Sequence, residues 1–282
     1  MSRAPVLDRI EGRRAFGVDA HNYDGARPQY PARVFELLRE RCGLGSAARV
    51  FEIGPGTGLA TRPLLAAGVS SLVAVEPDER LAAVLQERSP DSRLTVLTQA
   101  FEDAELPPGS FDLGCAATSF HWLEQRPALA KIASLLRPGG SWAMWWNVFG
   151  DAGREDPFHE ATSGLLSGLS RTPSQPQNWR HPFALETEAR LADLGATGLF
   201  TDVAFETLRW TLVLDPDQVR ALYATYSQIC VLEDAERNRL LDALRDIAAT
   251  TFGGRVERNM ATAIYTARRS AHAQPILKLD SA

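Results

Sequence analysis

Val50-Phe51-Glu52-Ile53-Gly54-Pro55-Gly56-Thr57-Gly58 is the stretch on which the reading of this chain turns. An apolar run of strand character enters three glycines at alternate positions, and a helix is expected to begin near Leu59. Glycine supplies the sharp bend and lets the main chain approach a bound ligand where a Cβ would clash. A second run, Leu72-Val73-Ala74-Val75-Glu76, ends on a carboxylate 22 positions after Gly54, where it can accept both hydroxyls of a ribose. Taken alone, the glycines fit an ordinary strand-to-helix turn. The acidic strand end and the later turn Pro138-Gly139-Gly140 make a nucleotide-binding loop the better reading. A dinucleotide fingerprint needs a third glycine where this chain has Leu59, so NAD is disfavoured. No Gly-Lys-Ser/Thr run follows, which excludes a phosphate loop for ATP.

Outward from this loop, β-rich runs alternate with helical ones, the pattern of a parallel sheet with crossover helices. Strands are expected at 49–53, 71–76, 94–99, 111–116 and 141–147. Helices are expected at 78–87, where Leu81, Val84 and Leu85 share a face, and at 127–136, where Leu129, Ile132, Ala133 and Leu136 do. Residues 151–180 change texture, rich in Ser, Gly, Gln and Pro, and read as a lid holding one short helix near 158–169. A strand at 203–214, helices at 216–229 and 234–251, and a last strand at 256–267 complete the pattern. The expected organisation is a cap segment (1–40), one α/β domain (41–270) with 150–182 and 216–252 as lid and substrate-binding elements, and a tail (271–282).

Hydrophobic residues make up 45% and charged residues 23% of the 282, enough apolar surface for a sizeable core. A net charge of -5 offers no overall attraction to polyanions, which argues against nucleic acid or an acidic membrane surface as the partner. Cys42, Cys115 and Cys230 are odd in number and far apart, so neither a disulfide framework nor a zinc site is indicated. No metal cluster stands out. With no signal-like run near the N-terminus and no stretch of about 20 apolar residues, a cytoplasmic location without membrane contact is expected.

These residues resemble the class I S-adenosylmethionine-dependent methyltransferases, particularly the branch that includes trans-aconitate methyltransferases and related small-molecule carboxyl methyltransferases. The resemblance spans about residues 23–268 and rests on 51–58, on Glu76-Pro77, and on Leu136-Arg137-Pro138-Gly139-Gly140. It implies a Rossmann-like, seven-stranded, mostly parallel sheet with an antiparallel last strand and helices on both faces. It implies S-adenosylmethionine as cofactor and S-adenosylhomocysteine as product. On that resemblance Glu52, Gly54, Gly56, Thr57 and Gly58 form the loop against the methionine part, Glu76 holds the ribose beside Pro77, and Leu81 covers the adenine. Ala100, Phe101 and Glu102 stand where the family recognises the base, with plain core packing the alternative for Phe101. The N-terminal run Tyr23-Asp24-Gly25-Ala26-Arg27-Pro28-Gln29-Tyr30-Pro31 resembles the segment that closes over the cofactor. Arg27 there suits the methionine carboxylate, or else an ion pair, and Tyr23 and Tyr30 would shield the methyl site or anchor the segment.

In this fold Thr118-Ser119-Phe120-His121-Trp122-Leu123 faces the departing methyl. His121 is a candidate general base, a hydrogen-bond donor to a carboxylate, or a buried structural histidine. Trp122 would wall the acceptor pocket with Tyr30, Trp146, Trp179, Tyr223 and Tyr226, which suggests an apolar or aromatic small-molecule acceptor. Arg180-His181 could hold one carboxylate or simply edge the lid. The reading is small-molecule O-methylation by direct in-line transfer without metal, with a carboxylate preferred over a hydroxyl. C- or N-methylation, and a cofactor-binding protein of the pericyclase kind that transfers no methyl, are the alternatives. Nucleic-acid methylation is disfavoured by the absence of an Asn/Asp-Pro-Pro-Tyr/Phe motif. Monomer and homodimer are both left open.

Overall fold

Seven strands form one sheet in the order β3-β2-β1-β4-β5-β7-β6. They are β1 (Arg49–Ile53), β2 (Ser71–Val75), β3 (Leu94–Leu97), β4 (Phe111–Ala117), β5 (Leu136–Phe149), β6 (Phe200–Leu214) and β7 (Val256–Arg269). The computed structural model describes residues 16–150, 153–170, 172, 174, 181–196 and 198–271. β1 pairs in parallel with β2 and β4, and β5 pairs in parallel with β4, while β7 runs antiparallel to both neighbours. The expected antiparallel last strand is therefore present. From β1 the chain builds first toward β3 and then returns to start β4 on the other side, which opens a crevice beyond the carboxyl ends of β1 and β4. Register fixes what stands there: Ile53 is opposite both Val75 and Ala116, so Gly54, Glu76 and Ala117 emerge side by side.

Both faces of the sheet are covered, which is why β1 is buried at every residue from Val50 to Ile53. On one face Phe51, Trp142, Phe120 and Met144 pack under α5 (Gln125–Leu135) and α7 (Thr187–Gly195). Gly114 makes this possible, since a Cβ there would lie 2.2 Å from Phe51 Cζ. On the other face Val50, Leu72, Leu113 and Trp145 meet α2 (Ala32–Cys42) and α3 (Thr61–Ala66). Helix α2, expected within a cap, thus packs on the sheet through Val34, Phe35, Leu37 and Leu38. α4 (Glu79–Arg88) starts at Asp78, whose side chain accepts from the Arg80 N–H, and buries the expected Leu81, Val84 and Leu85.

A third apolar cluster sits where β6 and β7 extend past their neighbours. Phe158 of α6 (Pro157–Leu166) joins Val219, Leu222 and Tyr223 of α8 (Pro216–Tyr223) there. Ile229 of α9 (Ser227–Cys230) and Leu241 and Leu244 of α10 (Asp234–Thr250) complete it. The helix expected at 216–229 is in fact two, because the chain breaks after Tyr223. Thr225 Oγ1 donates to Leu222 O and Cys230 Sγ to Ala224 O, side-chain bonds that compete with helical continuation. Among the described residues no helix is long and apolar enough to cross a membrane.

Candidate active site

Gly54 and Gly56 adopt φ values of +61° and +59°, a region in which side chains other than glycine are strained. At Gly54 a Cβ would also stand 2.7 Å from Ser119 Cβ, so the bend needs a bare backbone for packing. At Gly56 the nearest neighbour of such a Cβ is Tyr23 Cε1 at 3.7 Å, and the loop presents main chain to the crevice. The Gly56 N–H donates to Glu76 Oε2 at 2.9 Å and the Asp78 N–H to Oε1 at 3.0 Å. Two amides thereby hold the carboxylate against the bend. A cavity of about 680 Å³ begins here and runs past Leu81, Phe101 and Glu102 on one side and Thr118, His121, Trp122 and Trp146 on another. That volume is in the range of small-molecule and cofactor sites, about 300–1,000 Å³.

Four of the expected ligand-contacting residues do not line it. Gly58 is a packing glycine, because a Cβ would lie 2.6 Å from Leu85 Cδ1 of α4. Thr57 is fully buried, with its carbonyl bonded by Arg62 Nη1, and Ala100 lies off the wall with its carbonyl accepting from the Asp103 and Ala104 N–H groups. Glu52 is buried behind the loop, where Thr61 Oγ1 donates to its Oε2 at 2.6 Å.

Burial pushes the Glu52 carboxyl up to about 7, against the Thr61 bond that lowers it, with the nearby Glu76 charge adding to the rise. The folded state holds this proton more tightly than the unfolded chain. Its contribution is full below the ordinary value of 4.5 and falls by about 3 kcal/mol as pH rises to the folded value. Glu52→Gln, which keeps an acceptor for Thr61, is expected to remove this slope. Its melting temperature should gain several degrees on the parent between about pH 5 and pH 8, and parallel curves would contradict the assignment.

The N-terminal segment clasps the cavity. Asn147 Nδ2 donates to Pro28 O and Gln29 O, Arg62 pairs with Asp24 at 2.8 Å, and Arg27 Nη2 donates to Thr225 O at 2.8 Å. The Arg27 guanidinium lies between the Tyr23 and Tyr226 rings, 5.1 Å from each centroid, and its buried Nε has no partner among the described residues. Tyr30 OH and Thr118 Oγ1 share a 2.9 Å hydrogen bond, with Thr118 held at φ +56° by its N–H to Trp145 O. Trp146 Nε1 donates to His121 Nδ1 at 3.0 Å, and the His121 ring also lies against Trp122 and Phe183.

Of the expected acceptor-site aromatics, Tyr30, Trp122, Trp146, Tyr223 and Tyr226 line the cavity. Trp145 is turned to the opposite face of the sheet, against Tyr30 and Phe35. Trp179 and Arg180 fall outside the described residues, whereas His181 is on the wall. The sequence reading missed Phe16, Asn147, His159 and Arg258, all of which line the cavity. Arg258 left one legible signal, a charge that alternates with the apolar Val256 and Met260 in the last strand.

Residues 51–144, which carry the bend, Glu76 and His121, match the family model described as a methyltransferase domain. The chain is an S-adenosylmethionine-dependent methyltransferase, similar to those of class I. This methyltransferase is 27% identical over 238 residues to an uncharacterized methyltransferase of Mycobacterium tuberculosis, an alignment covering 84% of this chain and 86% of that one. Its fold is similar to that of a putative type II methyltransferase from Anaeromyxobacter dehalogenans, with TM-score 0.61, 24% identity, and coverage of 87% and 99%. It is also similar in fold to the cyclase SpnF, with TM-score 0.55, 19% identity, and coverage of 96% and 98%. The methyltransferase uses S-adenosylmethionine. The residues present fit that group: a bare bend at Gly56, a carboxylate at Glu76 and the buried Arg27 Nε border one continuous cavity.

Proposed function

We propose that this methyltransferase esterifies a carboxylate of a small organic acid by direct in-line transfer. The observation that carries the reading is the Trp146–His121 hydrogen bond. A neutral imidazole has one acceptor and one donor nitrogen, and the indole N–H occupies the acceptor. The hydrogen of His121 therefore sits on Nε2, which makes this side chain a donor on the cavity wall and leaves it no lone pair for a base. An acceptor that must lose a proton, such as a phenol, needs a base. A carboxylate, ionised at neutral pH, needs only to be oriented, and an N–H donor does that.

In this reading Gly54 and Gly56 carry the methionine part of the cofactor, Glu76 accepts the ribose hydroxyls, and Leu81, Phe101 and Glu102 bracket the adenine. Lys131 supports that last wall, its Nζ donating to Phe101 O and Glu102 O at 2.7 and 2.9 Å. Arg27 takes the methionine carboxylate. When bound, the cofactor supplies an electrophilic methyl on a sulfonium. Burial keeps the Tyr30 phenol protonated, so Tyr30 and Thr118 exclude water from the transfer site without offering it a nucleophile. His121 donates to the acceptor, Trp122 and Trp146 wall it, and elements within 150–182 and 216–252 act as its lid.

Incubation with methyl-labelled cofactor and a panel of aromatic and aliphatic acids tests this. The expected product releases its label as methanol on mild alkali, as esters do. Label that survives alkali would place the methyl on a phenol, nitrogen or carbon and overturn the reading. Tight cofactor binding without any S-adenosylhomocysteine release would point to the non-transferring alternative.

A further inference from the structure

Arg258 lines the same cavity, is buried, and has no part in the steps above. Its Nε donates to both Asp156 oxygens, at 3.1 and 2.9 Å, and its Nη1 to Tyr223 OH at 2.6 Å. Phe149, Phe158 and Tyr223 surround the guanidinium, with ring centroids 5.4, 5.7 and 6.0 Å away. Nη2 makes no hydrogen bond among the described residues. Asp156 also accepts from the His159 N–H as the cap of α6, so its charge is shared between the arginine and a helix N-terminus.

A second donor faces the same space. The Tyr226 hydroxyl is buried and has no partner among the described residues, and its ring lies 4.8 Å from that of Tyr223. Burial raises this phenol, so it stays protonated and can only profit from an acceptor. From the glycine bend outward the order of contacts is Tyr23, Arg27, Tyr226, Tyr223, Arg258. Arg258 is thus one tyrosine pair beyond the group assigned to the cofactor.

We infer that Arg258 and the Tyr226 hydroxyl form an anion subsite for the acceptor, which takes a carboxylate other than the one that is methylated. This rests on the esterification reading and deepens it: the substrate is an acid with an apolar body and a second, non-reacting oxyanion. A purely structural Arg258–Asp156 pair gives no role to the buried, unpartnered Tyr226 hydroxyl, whose unmatched donor costs stability.

The test uses the full chain saturated with S-adenosylhomocysteine, titrated with phenylenediacetate and with phenylacetate. The second carboxylate is expected to tighten binding about tenfold. Tyr226→Phe and Arg258→Lys should each reduce that advantage to about threefold or less, with S-adenosylhomocysteine affinity unchanged. Equal affinity of the two probes for the parent, or an advantage that survives in Tyr226→Phe, would overturn the inference. Tyr226→Phe removes only an unpartnered hydroxyl, so it decides the matter even where Arg258→Lys fails to fold. Failure of S-adenosylhomocysteine itself to bind would instead contradict the cofactor site, a separately readable result.

Discussion

Glu76→Gln is expected to weaken S-adenosylhomocysteine binding about 100-fold or more, measured by calorimetry at neutral pH. Two losses combine. The carboxylate is the proposed acceptor for both ribose hydroxyls, and hydrogen bonds to a charged group are worth about 1.5–3 kcal/mol each. It is also the acceptor for the Gly56 and Asp78 N–H groups, which approach its two oxygens separately. A carboxamide must turn its NH2 toward one of those amides, setting donor against donor and moving the bend away from the cavity. Glu79→Gln, in the first turn of α4, should leave affinity within about twofold, because an exposed side chain there contributes little. Undiminished binding by a folded Glu76→Gln variant would remove the residue from the site.

His121→Phe should lower kcat/KM about 10- to 100-fold while leaving S-adenosylhomocysteine affinity within about twofold, because it keeps the ring volume and deletes one donor to the acceptor. The pH profile separates donor from base. A base would make kcat/KM climb tenfold per unit through the imidazole titration, whereas an Nε2–H donor is present in both protonation states and predicts a flat profile between about pH 5 and 8. Trp146→Phe removes the bond that fixes the tautomer. The hydrogen then divides between the two nitrogens, and kcat/KM should fall about two- to tenfold. A rising profile in the parent, or full activity in His121→Phe, would contradict the assignment.

What could be read in the chain was local. The bend at Gly54 and Gly56, the strand ending at Val75 before Glu76, and the 3.6-residue spacing of Leu81, Val84 and Leu85 each arise within a few residues, and the structure has them within a position or two. Gly58 was read with its neighbours as part of the ligand loop, because a packing glycine and a ligand glycine look alike until the facing helix supplies Leu85. Trp145 and Trp146 stand in one aromatic run, and only strand alternation sends the first to the far face and the second to the cavity. Arg258 depends on longer-range facts still: β7 must pair antiparallel with β5, bringing Met260 opposite Phe149, before the arginine can meet Asp156 and Tyr223. That contact adds one guanidinium to the apolar and aromatic wall expected for the acceptor.

The central claim is that one adenosyl sulfonium is gripped between a bare-backbone bend and the carboxylate at the end of the neighbouring strand. A crystal structure with S-adenosylhomocysteine measures this directly. The account predicts the ribose hydroxyls on Glu76, the amino-acid portion along Gly54 and Gly56 with its carboxylate at Arg27, and the sulfur opening toward His121. Adenine or ribose bound away from Glu76, or a sulfur facing the opposite end of the cavity from His121, would contradict it.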